Sequence, residues 1–392
     1  MKYNFDEIID RRGTGSVRWD MARKKYEEPD LIALTTADMD FKAAKPVCDA
    51  IRDAAEFGIF GYTQPKDSYY EAVQQRLQEK WNWKVQRDWI TYSAGIVGAI
   101  AFCVQGMTEP GDAIAIMTPV YHPFAHIIED NGRRLVHTCL IQKEGAQSEI
   151  DFADLEKVIA ENQVKMLIFC NPHNPIGRVW TKEEIDHICR LCVKYGVILI
   201  SDEIHSDFTY GENIHHVFAS LDEKYAAITT TCTAPSKTFN IAGLQISNIW
   251  ISNPELRARF RAEVTAAGYS QVNLMGLVAC QAAYETGEEW LKELKIYLEG
   301  NLDYVRTFLK ENLPEIKLTE PEGTYLLWLD FKSLGMKEEQ LKDLVENKAK
   351  LWLDSGAMFG PDGEGFERIN IACPREILKQ ALTQLAESVH DR

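Results

Sequence analysis

The sequence predicts an α/β fold: a mostly parallel, seven-stranded sheet covered on both faces by helices, with a smaller α+β unit after it. Three observations carry this reading. Continuous apolar runs alternate with amphipathic segments through the middle of the chain, as expected for strands buried on both faces. Near residue 276 the pattern changes to long helix with scattered strand. The 392 residues also exceed one typical domain.

The first 45 residues lack clear periodicity and read as an arm that begins the smaller unit. A strand at 89–93 leads into a small-residue helix at 96–105. Strand 112–117, helix 121–131, strand 134–141, helix 152–162 and strand 165–170 follow. Thr181-Lys-Glu-Glu184 is a capping box, in which hydroxyl and carboxylate each satisfy a free N–H of the first helical turn. Ile185, Ile188, Cys192 and Val193 then share one face. Strands at 197–201, 227–232 and 246–252 complete the seven. Helix extends from about 276 to 312. A strand pair around 325–330, a helix near 337–347, a strand at 368–372 and a helix at 375–390 close the chain. The expected division is an arm and part of the small unit at 1–45, a large ligand-binding domain at 46–285, and a small domain at 286–392.

Composition narrows the function. With 43 basic and 59 acidic residues the formal net charge is -16. Such a surface repels phosphate backbones and anionic lipid, so nucleic-acid and membrane-surface binding are not expected. No apolar run approaches a membrane span, and the charged start MKYNFDEIIDRRG is not expected to be a signal peptide. Among nine cysteines, Cys189 and Cys192 form the one C-x-x-C. No second pair lies at zinc-site spacing, so both read as core residues of a helix and no metal site is expected. A reducing cytoplasm fits this cysteine usage.

Four blocks fall just after strand ends, where open α/β sheets bind ligands. In Ser201-Asp202-Glu203-Ile204-His205 an aliphatic strand stops at two carboxylates. This is either a capped strand end or an acid held against a cationic ring nitrogen. Asn171-Pro172-His173-Asn174-Pro175-Ile176-Gly177 is a stiff turn whose Asn174 amide can donate to a ligand. Ala234-Pro235-Ser236-Lys237-Thr238-Phe239-Asn240 sets a lysine among small and apolar residues. Lysines are usually solvated, but one kept dry has a lowered pKa and acts as a nucleophile. In Ser93-Ala94-Gly95-Ile96-Val97-Gly98 a strand runs into a helix whose free N–H groups suit a phosphate. The glycine patterns of the common nucleotide folds are absent.

The order of these blocks, with Arg368-Ile-Asn-Ile-Ala-Cys-Pro-Arg375 near the C-terminus, resembles the fold-type I pyridoxal-phosphate enzymes of the class I/II aminotransferase superfamily over nearly the whole chain. Ala37-Asp38-Met39-Asp40-Phe41, Phe60-Gly61-Tyr62-Thr63, Pro119-Val120-Tyr121-His122-Pro123-Phe124 and His205 look most like its cystathionine β-lyase (C–S lyase) branch.

The resemblance implies a role for each matching position. Lys237 holds pyridoxal 5'-phosphate as a Schiff base and moves protons at Cα. Asp202 pairs with the pyridine nitrogen, Asn174 and His205 lie by the ring oxygen, and Tyr121 stacks on the ring. The Gly95, Ile96 and Val97 backbone and Ser236 take the phosphate. Tyr62 reaches the phosphate of a neighbouring subunit, which implies a homodimer with shared sites. Arg368, Asn174 and Asp38 meet the substrate, with Arg368 forked onto its carboxylate. The implied reaction is β-elimination from a small amino acid with a β-thio substituent, giving a thiol, pyruvate and ammonia. Relatives often have Arg where Gln245 stands, Ser at Ala234 and Tyr at His205, and these departures favour lyase over aminotransferase. Two other readings are an aminotransferase of the same fold, marked by keto-acid dependence, and a regulator that sequesters a transcription factor, marked by capture of that factor.

Overall fold

Seven of the apolar runs become the strands of one sheet in the computed structural model, which describes residues 2–26, 31–142 and 147–392. Residues 1 and 27–30 of the expected arm lie outside the described residues. The strands are β1 (Ile90–Ser93), β2 (Ala113–Thr118), β3 (Arg134–Cys139), β4 (Met166–Cys170), β5 (Ile198–Asp202), β6 (Thr229–Thr233) and β7 (Ser247–Ile251). Their order is β1-β7-β6-β5-β4-β2-β3. Strands β2 to β6 pair in parallel, and β7 is antiparallel to both β1 and β6. Hence β7 is the one reversed strand, and the C-terminal ends of the other six point the same way.

Side chains alternate across a strand, so a fully buried strand feeds two cores. In β4, Met166, Ile168 and Cys170 pack in one cluster with the helix Ile96–Met107, and Leu167 and Phe169 pack in another with the helix Lys182–Tyr195. Each such buried side chain contributes roughly 1.5–3 kcal/mol. Thr181 caps the second helix with the full capping box. Cys189 and Cys192 are buried in that helix, and all nine cysteines are free thiols.

The second sheet is antiparallel, ordered β10-β11-β9-β8 from β8 (Lys317–Thr319), β9 (Leu326–Asp330), β10 (Asp354–Ser355) and β11 (Phe366–Asn370). Phe5, Leu34 and Met39 share its core with Leu298, Leu329 and Leu378, so the N-terminal segment is built into the C-terminal region. That segment holds a helix, Val17–Tyr26, and a two-residue strand, Ile32–Ala33, parallel to Leu351–Trp352. The helices Lys45–Phe57, Asp67–Trp81 and Pro254–Ala266 were not anticipated. The helical region after 276 is two helices, Leu274–Thr286 and Glu288–Asn312. Between them a Cβ on Gly287 would lie 2.4 Å from the Phe239 ring, so only glycine lets that ring approach.

Gly356 marks a second close approach, in the turn that leads to β11. A Cβ there would lie 2.0 Å from the Gly363 carbonyl oxygen and 2.7 Å from that of Phe366. Gly356→Ala is expected to lower the melting temperature by several degrees, because backbone must shift to admit the methyl. An unchanged thermal melt would contradict this packing.

Candidate active site

Five of the six aligned strand ends converge on one cavity of about 460 Å³. After β1 come Gly95, Ile96 and Val97; after β2, Tyr121; after β4, Asn174; β5 ends on Asp202 and leads to His205; after β6 come Ser236 and Lys237. The second sheet contributes Arg368 from β11 and Asp354 from β10.

Lys237 lines this cavity and is half-buried. Desolvation brings its amine down to about 8, with Arg368 pushing the same way and Asp38 and Asp202 opposing. The amine donates to the Ala37 carbonyl at 2.7 Å, and the Tyr325 hydroxyl donates to the same oxygen at 3.0 Å. Asp202 is buried, and desolvation raises its carboxyl to about 7 against the pull of the Ile204 N–H and Lys237. Among the described hydrogen bonds it accepts one, from Ile204 at 3.1 Å. A cation brought to it would restore its charge. His205, held neutral by burial at about 3, leaves Nδ1 buried without a partner.

Asn174 is oriented by its neighbour. Its Oδ1 accepts from Arg368 Nη1 at 2.7 Å, which leaves the amide nitrogen to donate to a ligand. Arg368 also gives Nε and Nη2 to Asp354 at 3.2 and 2.5 Å, and Thr35 donates to the other Asp354 oxygen. Its guanidinium lies 4.8 Å from the Phe359 ring centroid. At the opposite end no side chain caps the helix Ile96–Met107. The free N–H groups of that first turn lie beside Ser236, Gln245 and Ser247, whose hydroxyl is buried and unpartnered, and would suit an anion. Among the described lining residues, the cationic side chains are Lys237 and Arg368.

Two expected residues are not brought to the wall. Asp38 instead turns its carboxylate to the half-buried Arg11 at 2.7 Å and to Arg18 at 3.7 Å, whose buried guanidinium needs an anion. Tyr62 is 96% exposed and lies outside the cavity of its own chain. Conversely, Asp354, Tyr325 and Ser247 went unnoticed as site residues in the sequence, and Ala37 was read only as part of a motif with no role of its own. A carboxylate inside Leu351-Trp-Leu-Asp354 was the signal available for Asp354.

Residues 29–385 match the family described as aminotransferase class I and II. The chain belongs to that family. It is 42% identical to cystathionine beta-lyase PatB of Bacillus subtilis (strain 168) over 97% of this chain and 98% of that one. Cystalysin from Treponema denticola, whose crystal structure contains pyridoxal 5'-phosphate, superposes with a TM-score of 0.97 at 38% identity, all of both chains being covered. A pyridoxal-phosphate-bound C–S lyase from Staphylococcus hominis gives 0.91 at 35% identity, covering 99% of this chain and 98% of that one.

The Asp354–Arg368 pair is buried on both sides. Asp354→Ala leaves the guanidinium with Asn174 and the Phe359 face alone. It is expected to cost about 3 kcal/mol in denaturant unfolding, the range for breaking a buried pair from one side. An unchanged midpoint would show that Arg368 does not depend on Asp354.

Proposed function

We propose that this chain is a pyridoxal-phosphate-dependent carbon–sulfur lyase, acting on cystathionine and related cysteine S-conjugates. One observation carries the reading: a dry lysine amine shares a cavity with a buried carboxylate, an oriented amide and an arginine fork. The residues fit the cofactor. Asp202 lacks a cation, the Nδ1 of His205 and the Ser247 hydroxyl lack partners, and the uncapped helix at Ile96 awaits an anion. The PatB, cystalysin and S. hominis relatives support the same reading.

When bound, the cofactor supplies a protonated ring that accepts the electron pair left at Cα. Lys237 would hold it and would take the proton from the substrate Cα. Asp202 keeps the ring nitrogen protonated. Asn174 and His205 would hold the ring oxygen, Tyr121 would cover one ring face, and Ile96, Val97 and Ser236 would take the phosphate. Arg368 binds the α-carboxylate and so orients the Cα–H bond towards the lysine. The Cβ–S bond would break with its electron pair on sulfur, the thiolate would take a proton from the Lys237 ammonium, and water would complete release of pyruvate and ammonia.

Loss of pyruvate release from cystathionine in Lys237→Ala, with wild type active, tests this reading. Wild-type protein that binds the cofactor yet makes no pyruvate would overturn it, and turnover that depends on an added keto acid would favour transamination. The pH dependence of cofactor uptake is a second check. Only the neutral amine attacks, so uptake by the unloaded chain should rise about tenfold per pH unit and level off above about 8. A lysine with an ordinary pKa would go on rising to about 10.4.

A homodimer with shared sites, in a reducing cytoplasm, completes the proposal. Phe57, Ile59, Phe60 and Tyr62 form an exposed apolar run that a second copy would cover. Lys237→Ala mixed with Tyr62→Ala should regain about a quarter of wild-type turnover, since half the dimers are mixed and each has one intact site. No recovery after subunit exchange would show that Tyr62 does not serve the partner's site.

A further inference from the structure

A second cavity, of about 310 Å³, lies against the first. The two share Tyr121 and His122 as wall residues. Its floor is Ile116, Val120 and Phe359, all buried. Ala125, His126, His137 and Met358 also line it, and the last three are exposed to solvent. The described lining contains no Asp, Glu, Lys or Arg. His122 sits in the dividing wall, its ring centroid 5.5 Å from Tyr121 and 6.0 Å from Phe359, with Nδ1 buried and unpartnered. Desolvation, together with Arg368 and His126, lowers its pKa and keeps the ring neutral.

We infer that this chamber receives the sulfur substituent of the substrate and selects uncharged, apolar groups over charged ones. The inference rests on the lyase reading above and specifies the leaving group. Arg368 anchors the α-carboxylate in the first cavity and packs on Phe359, whose ring also borders the second. A substrate bound there can therefore extend its Cβ substituent past His122 and over Phe359. An apolar cavity of about 150 Å³ already holds a benzene ring, so this one has room for a benzyl or branched alkyl group. Cystathionine would bring an ammonium and a carboxylate to a floor that pairs neither, and burying unpaired charge is costly. Release of the thiol is also direct, because the chamber opens to solvent beyond Met358.

Three probes separate this inference from the reading beneath it: S-methylcysteine, S-benzylcysteine and cystathionine, each assayed for pyruvate with the loaded enzyme. The expected kcat/KM for S-benzylcysteine exceeds that for cystathionine by about tenfold or more, the scale on which an apolar pocket discriminates. No pyruvate from any of them would sink the lyase reading itself. Pyruvate from S-methylcysteine, with S-benzylcysteine no better than cystathionine, would overturn the chamber alone. Ala125→Phe narrows the chamber, and Met358→Glu puts a charge at its mouth. Each is expected to lower the S-benzyl to S-methyl ratio of kcat/KM about tenfold. The exposed Met358 variant decides the matter if Ala125→Phe does not fold, and a ratio unmoved there overturns the inference.

Discussion

A lysine amine kept from bulk water is the constraint on which the rest of the site depends. Burial disfavours its charged form, so Lys237 needs a partner that accepts a hydrogen bond without bringing a full charge. The Ala37 carbonyl is that partner, from 200 residues away in the chain. That carbonyl is itself fixed from several sides. Tyr325 donates to it just before β9, and Asn240 donates to the Met39 and Phe41 carbonyls. Arg11 and Arg18 hold Asp38 beside it. The N-terminal segment, the lysine loop and the second sheet must all be docked before the amine has its place.

The same low-dielectric setting explains the opposite displacement of Asp202. Its carboxyl rises although Lys237 pulls it down, so desolvation outweighs a nearby cation. Left alone, the cavity holds an acid and an amine that both drift towards neutrality near physiological pH. A cationic ring nitrogen at Asp202 would reverse one drift, and covalent capture of the amine would use the other. Phosphate recognition follows a different logic. Gln245 would supply no charge there, so helix N–H groups and hydroxyls would carry the task within this chain.

Much of this was legible because it is local. Strand runs such as Met166–Cys170 bury every residue, and their apolar composition shows it. Lys237, Asp202 and Asn174 follow strand ends directly, so order along the chain already places them on one side of the sheet. Asp354 was not legible, because it faces Arg368 through the register of β10 with β11. Nor was the turn of Asp38 away from the cavity, which answers guanidinium groups of the N-terminal segment. The helix Lys45–Phe57 went unread although its pattern is local, with Val47 and Ile51 turned to the core. The break at Gly287 is set by Phe239, whose approach no local pattern encodes.

The division of labour between the sheets follows from this geometry. Residues that would touch the cofactor sit on the ends of a parallel sheet fixed by two cores. Those that would judge the substrate come largely from the second sheet and its turns. Arg368 lies on β11, and Phe359 lies in the turn before it. Phe359 carries the Arg368 guanidinium on its ring and floors the second cavity as well. The carboxylate anchor and the leaving-group wall are thus parts of one packed unit. A shift of that turn would move both ends of the substrate together and leave Lys237, Asp202 and the helix start at Ile96 where the parallel sheet holds them.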